Sequence, residues 1–136
     1  MRKETHDEVV KEVLDEVEQA LKDRNGLLFH QRRLAFSLSL GAENFLELHF
    51  HNLNIMKEGS KIDHRWFKKN KKNILEQLQK QIISPIESVE NIKQIIELIS
   101  EIEHKRDDLA YGAPSTEKIL QEKINLFFKL KKLLKC

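Results

Sequence analysis

Two short stretches of this chain carry residue types that handle phosphates. The first runs His104-Lys105-Arg106-Asp107-Asp108-Leu109-Ala110-Tyr111-Gly112. A guanidinium grips a phosphate through paired N–H bonds, and a phenol can donate another. Two aspartates beside the arginine leave two readings open: an anion site, or a helix end whose charges pair among themselves. The second stretch, residues 64–72, supplies Arg65, Lys68, Lys69 and Lys72 with Trp66 and Phe67. On a helix these four cations share one face. Such a face suits phosphates or an acidic partner, and equally well faces only solvent. Trp66 turns with Phe67 and Ile74 toward the core.

Other candidates carry less chemistry. His49 and His51 are two residues apart, so a helix points them to different faces, and with Glu47 they lack a third ligand. Cys136 is the lone cysteine, which leaves no internal disulfide and no thiolate cluster for zinc. No metal and no cofactor are therefore expected. His30, past the Asn25-Gly26 break, is read without a paired role.

Five helices must position these residues. The first is expected over about 5–24, capped by Thr5, with Val10, Val13, Leu14, Val17, Ala20 and Leu21 forming its apolar stripe. The second, over about 27–56, carries too many apolar residues for a narrow stripe and should be the central, most buried helix. Gly41-Ala42 inside it lets another helix approach closely. Residues 57–61 form a loop, and Asp63 caps a third helix running to about Ile82. Ser84-Pro85-Ile86-Glu87 reads as a capping box opening a fourth helix, which runs to about Ala110 until Gly112-Ala113-Pro114 stops it. Two aspartates at its end would oppose the helix dipole and need compensation. Ser115-Thr116 starts a fifth helix with Ile119, Leu120, Ile124, Phe127, Phe128 and Leu134 as its stripe, and Lys131, Lys132 and Lys135 in its last turns.

The expected architecture is an all-α antiparallel bundle of four to five helices in one domain spanning 1–136. With 136 residues, 40% hydrophobic and 34% charged, the chain can build one core under a densely charged surface. Its 24 basic and 22 acidic residues give a net charge of +2, which excludes a polybasic nucleic-acid arm and leaves binding to local patches. Neither a signal-like apolar run nor a span-length one is present, so a cytoplasmic protein with no membrane contact is expected.

The order Arg106-Asp107-x-x-x-Tyr111-Gly112, followed by an apolar helix, resembles a degenerate HEPN motif (higher eukaryotes and prokaryotes nucleotide-binding). SLGAENFLELHFHNLNI followed by HRWF resembles that family's second helix and the loop after it. The resemblance spans residues 27–134. It implies a helical bundle acting as a homodimer, with Arg106 in the phosphate-stabilising position and Asp107 in the polar position after it. Tyr111 falls where the family's histidine stands. A phenol titrates near pH 10 in water and makes a poor base at neutral pH. His104 could substitute for that histidine only if the helix end were remodelled. The resemblance thus implies an RNA- or nucleotide-associated, or partner-binding, module without ribonuclease activity. Its implied partner is a minimal nucleotidyltransferase in a toxin–antitoxin pair, with Tyr111 as a possible acceptor of nucleotide transfer. The alternative is a metal-independent ribonuclease toxin. His104, Arg106, Asp107, Asp108 and Tyr111, with Arg65, Lys68, Lys69 and Lys72, are the expected site residues.

Overall fold

The computed structural model describes residues 3–134. Its helices are α1 (Lys3–Lys22), α2 (Gln31–Asn52), α3 (Lys71–Gln79), α4 (Ile92–Glu103), α5 (Arg106–Tyr111) and α6 (Glu117–Leu134). Short 3-10 turns cover Leu27–His30, His64–Lys68 and Ile86–Ser88. The fold is all-α, with no strand among the described residues. One isolated antiparallel bridge, Met56 to Ile82, ties the loop after α2 to the end of α3.

The central position of α2 is as its composition implies: it packs against α1, α4, α5 and α6. Leu34, Leu38, Ala42, Phe45 and Leu46 of α2 are buried. They meet Val10, Val13 and Val17 of α1, the isoleucine row of α4, and Leu120, Ile124, Phe127 and Leu130 of α6 in one contiguous core. Phe45 stacks on Phe127 with ring centroids 4.9 Å apart. Gly41 lets this happen. A Cβ there would lie 2.6 Å from the Phe127 ring and 2.8 Å from the Val13 side chain, so α1 and α6 both close in on the bare backbone.

Several local expectations are corrected. Thr5 lies inside α1, which ends at Lys22. The expected second helix is a 3-10 turn followed by α2, and it stops at Asn52, leaving Leu53 exposed. The NG turn before it is held from a distance: the Glu117 carboxylate accepts from the backbone N–H groups of Leu27 and Leu28 at 2.9 and 3.2 Å. Asp63 caps the 3-10 turn at Arg65, not a helix, and Asn70 caps α3 by accepting from Asn73 N–H at 2.9 Å. Arg65, Lys68, Lys69 and Lys72 consequently do not share a helical face. The Ser84 capping box does not form either. Gln79 takes its place, donating to the Ser84 carbonyl and accepting from Ile86 N–H, and α4 opens only at Ile92, after Asn91 in the left-handed region (φ 61°). The expectation at Thr116 holds, with its hydroxyl accepting from Ile119 N–H at 3.1 Å. Lys135 and Cys136 lie outside the described residues.

Candidate phosphate-binding cleft

The expected fourth helix is broken. It ends at Glu103, and Lys105 takes a left-handed conformation (φ 60°) before α5 begins at Arg106. A helix end leaves carbonyls without partners. Here Lys123 of α6 reaches across and donates its ammonium to the carbonyls of Glu101 and His104. Burial holds the Lys123 ammonium below its usual pKa. The break also removes the expected conflict with the dipole. Asp107 and Asp108 stand in the first turn of α5, where the dipole favours acid. Gln31 fixes the other end of α5, donating to the carbonyls of Leu109 and Ala113 and accepting from Ser115 N–H.

Arg106 is thereby folded inward, its side chain only 14% exposed. Its guanidinium carbon lies 5.0 Å from the centroid of the Phe36 ring, within cation–π range. Nη1 donates to Asp107 at 2.9 Å, while Nε is buried without a hydrogen-bond partner. Lys68 donates to the other Asp107 oxygen at 2.9 Å. Asp107 is thus clasped between two cations, and its carboxyl is held below the usual range first by the Lys68 bond and less by Arg106. Arg106, Asp107 and Lys68 line a cleft of about 480 Å³ together with His104, Lys105, Asp108 and Glu103.

Most of the expected residues converge here, but not all. Lys68, His104, Arg106, Asp107 and Asp108 meet at one cleft. Tyr111 lies beside it: the residue is 72% exposed and its ring meets Phe36 edge-on at 5.8 Å. Phe36, which no sequence pattern marks, therefore joins Arg106 to Tyr111. Lys69 lines a neighbouring cleft shared with His104, and Lys72 is exposed on α3. Arg65 faces away to a different group, donating to both oxygens of Asp63.

Beneath the cleft runs a polar array that sequence reading passes over. Glu103 is buried and accepts from the Ser39 hydroxyl at 2.5 Å and from His64 Nδ1 at 3.0 Å. Glu43, one helical turn beyond Ser39, accepts from His64 N–H at 2.5 Å. Glu47, another turn on, accepts from Ile62 N–H at 2.6 Å and faces His6 Nε2 at 3.0 Å, while His6 Nδ1 meets Asn44 at 2.7 Å. Burial pushes the Glu43 carboxyl up to about 7, opposed by its bond from His64 N–H and reinforced by the charges of Glu103, Asp63 and Glu47. The only sequence signal was the 39-43-47 spacing of polar residues within an apolar helix. His30 also corrects the reading given to it. It is buried between Asp23 at 2.7 Å and Glu16 at 3.2 Å, with Arg33 at 2.9 Å.

No helix among the described residues is long and apolar enough to cross a membrane. No family model, curated protein or solved structure matches this chain.

Proposed function

We propose that the chain is a HEPN-like module that binds a phosphate-bearing ligand, RNA or nucleotide, at the Arg106 cleft without cutting it. The observation that carries this reading is Arg106 itself. A half-satisfied guanidinium, with Nε buried and unpartnered, is costly to keep. With Lys68 and Lys105 it lines an open cleft, where a phosphate would accept from the outer N–H groups of the guanidinium. Phe36 and the exposed Tyr111 ring add a surface on which a base can stack. In the same reading a second copy or a minimal nucleotidyltransferase of a toxin–antitoxin pair covers the exposed Phe29, Phe36, Leu40 and Tyr111, and the open Tyr111 hydroxyl is available to nucleotide transfer. The test is binding of a short single-stranded RNA and of ATP. Arg106→Ala should weaken binding by about tenfold or more without loss of thermal stability; unchanged affinity would remove the site.

One observation favours the ribonuclease alternative. The helix breaks after Glu103, and His104 and Arg106 line the same cleft. RNA cleavage in EDTA, lost in both His104→Ala and Arg106→Ala, would establish it. Equal background cleavage in wild type and both variants would rule it out.

A further inference from the structure

We propose that Glu43, Asp63 and His64 form a binding site for a divalent transition-metal cation such as Zn²⁺. The inference is independent of the Arg106 reading.

Each of the three residues offers a donor atom, and these atoms lie within 4.8 Å of one another. They come from two elements, α2 and the 3-10 turn with its cap, and both are held in place. Glu43 and Glu47 accept from the backbone N–H groups of His64 and Ile62, which pins the turn to the helix. An ion bound at about 2.0–2.2 Å keeps its donors roughly 3.5 Å apart, so side-chain movements of about an ångström close the site.

The imidazole separates this cluster from an ordinary acidic patch. His64 Nδ1 faces the carboxylate of Glu103, a residue outside the cluster, 1% exposed and itself held by Ser39. A histidine that gives its Nδ1–H to a buried carboxylate keeps the Nε2 lone pair for a metal, the arrangement that orients imidazole ligands in metal sites. The charge balance points the same way. Glu43, Glu47, Asp63 and Glu103 are gathered around His6, His64 and Arg65, with Lys61 lining the same cleft and Lys123 near Glu103. Arg65, 74% exposed along its side chain, donates to both oxygens of Asp63, whose own side chain is 17% exposed, so an ion at Asp63 must displace this cation or share the carboxylate with it. One imidazole and two carboxylates suit a borderline transition ion better than Mg²⁺, which prefers an all-oxygen octahedron. The cleft of about 600 Å³ beside the three residues leaves coordination positions for water or a ligand.

The test is titration of the EDTA-stripped full chain with Zn²⁺ by calorimetry, and with Co²⁺ by visible absorption. The expected result is one ion per chain, with Co²⁺ bands that vanish in His64→Gln and in Glu43→Gln. Glu103→Gln should keep the stoichiometry and weaken affinity about 10- to 100-fold, the effect of losing an outer partner. Arg65→Ala should bind as tightly as wild type or tighter, and His49→Gln should bind like wild type. Absence of stoichiometric binding in the wild type overturns the proposal. So does binding unchanged in both His64→Gln and Glu43→Gln.

Discussion

Oε2 of Glu103 lies 3.0 Å from Nδ1 of His64, and this contact joins two polar sites. Glu103 borders the Arg106 cleft, while His64 borders the cleft beside Glu43 and Asp63. A carboxylate this deeply buried is tolerable because Ser39 and His64 both bond to it. Removing the imidazole leaves the buried carboxylate one hydrogen bond short. His64→Ala should therefore destabilise the fold by about 1–3 kcal/mol. The double variant with Glu103→Gln should recover much of that loss. Urea denaturation of the four members of this cycle measures the coupling; additive effects would mean that the pair is not a unit.

Glu43 makes the stability pH-dependent. Its carboxyl is pushed from 4.5 up to about 7, mainly by burial. Below 4.5 it is protonated in both folded and unfolded chains. Between 4.5 and 7 the folded chain keeps the proton that the unfolded chain has lost, so stability falls as pH rises and the loss is complete above about 7. Discounted for the partial exposure of the group, the fall is about 1–2 kcal/mol. Glu43→Gln keeps the acceptor for His64 N–H and should flatten this slope. Unfolding free energies at several pH values, in EDTA, give the comparison; an equal slope in both proteins would refute the assignment.

The bundle was legible because its signal is redundant. Valines of α1, isoleucines of α4 and the α6 stripe each repeat over several turns, so no single residue decides the result. Gly41 was legible for the same reason, as a small residue in a row of large ones. The helix ends were less so, because their caps come from distant residues. Glu117 secures the NG turn, Gln79 replaces the Ser84 box, and Lys123 takes the carbonyls freed by the break at His104. Nothing local distinguishes Lys123 from any other surface lysine. The cleft residues were found because Arg106, Asp107 and Asp108 adjoin in sequence. Lys68 was reached only through a helix that does not exist, and Phe36, Glu43 and Glu103 depend on contacts across 21 or more positions.

Gly41 tests the packing of α1 and α6 on α2. A Cβ at this position would come within 2.6 Å of the Phe127 ring and 2.8 Å of the Val13 side chain, so something must shift. Gly41→Ala should cost about 1–3 kcal/mol despite alanine's better helix propensity. Thermal unfolding checks this, and Gly41→Ala with Phe127→Leu should recover part of the loss. A neutral or stabilising Gly41→Ala would show that the helices are not so tightly opposed.

Lys123 tests the break between α4 and α5. Its ammonium is the donor for two carbonyls that have no helical partner. Lys123→Met keeps the aliphatic stem and removes the donor, so it should cost about 1–3 kcal/mol and raise amide exchange around residues 104–106. If α5 positions Arg106, the same substitution should also weaken RNA binding while leaving α1 protected. Exchange measured residue by residue separates this local effect from general unfolding.

Asp107 decides how the cleft takes an anion. It stands between Lys68 and Arg106, bonded at 2.9 Å to each, so it occupies the donors a phosphate would use. Binding must either displace that carboxylate or add to a cleft whose cations are already offset. Asp107→Asn removes the negative charge while keeping a side chain of the same shape. If displacement is the mode, Asp107→Asn should bind RNA or ATP about tenfold more tightly and with a steeper salt dependence, because Lys68 and Arg106 are both released toward the ligand. If Asp107 instead only orients Arg106, the substitution should weaken binding, and Lys68→Ala should have little effect. Affinities of the two variants at low and moderate salt distinguish these outcomes, and the sign of the Asp107→Asn effect is the decisive reading.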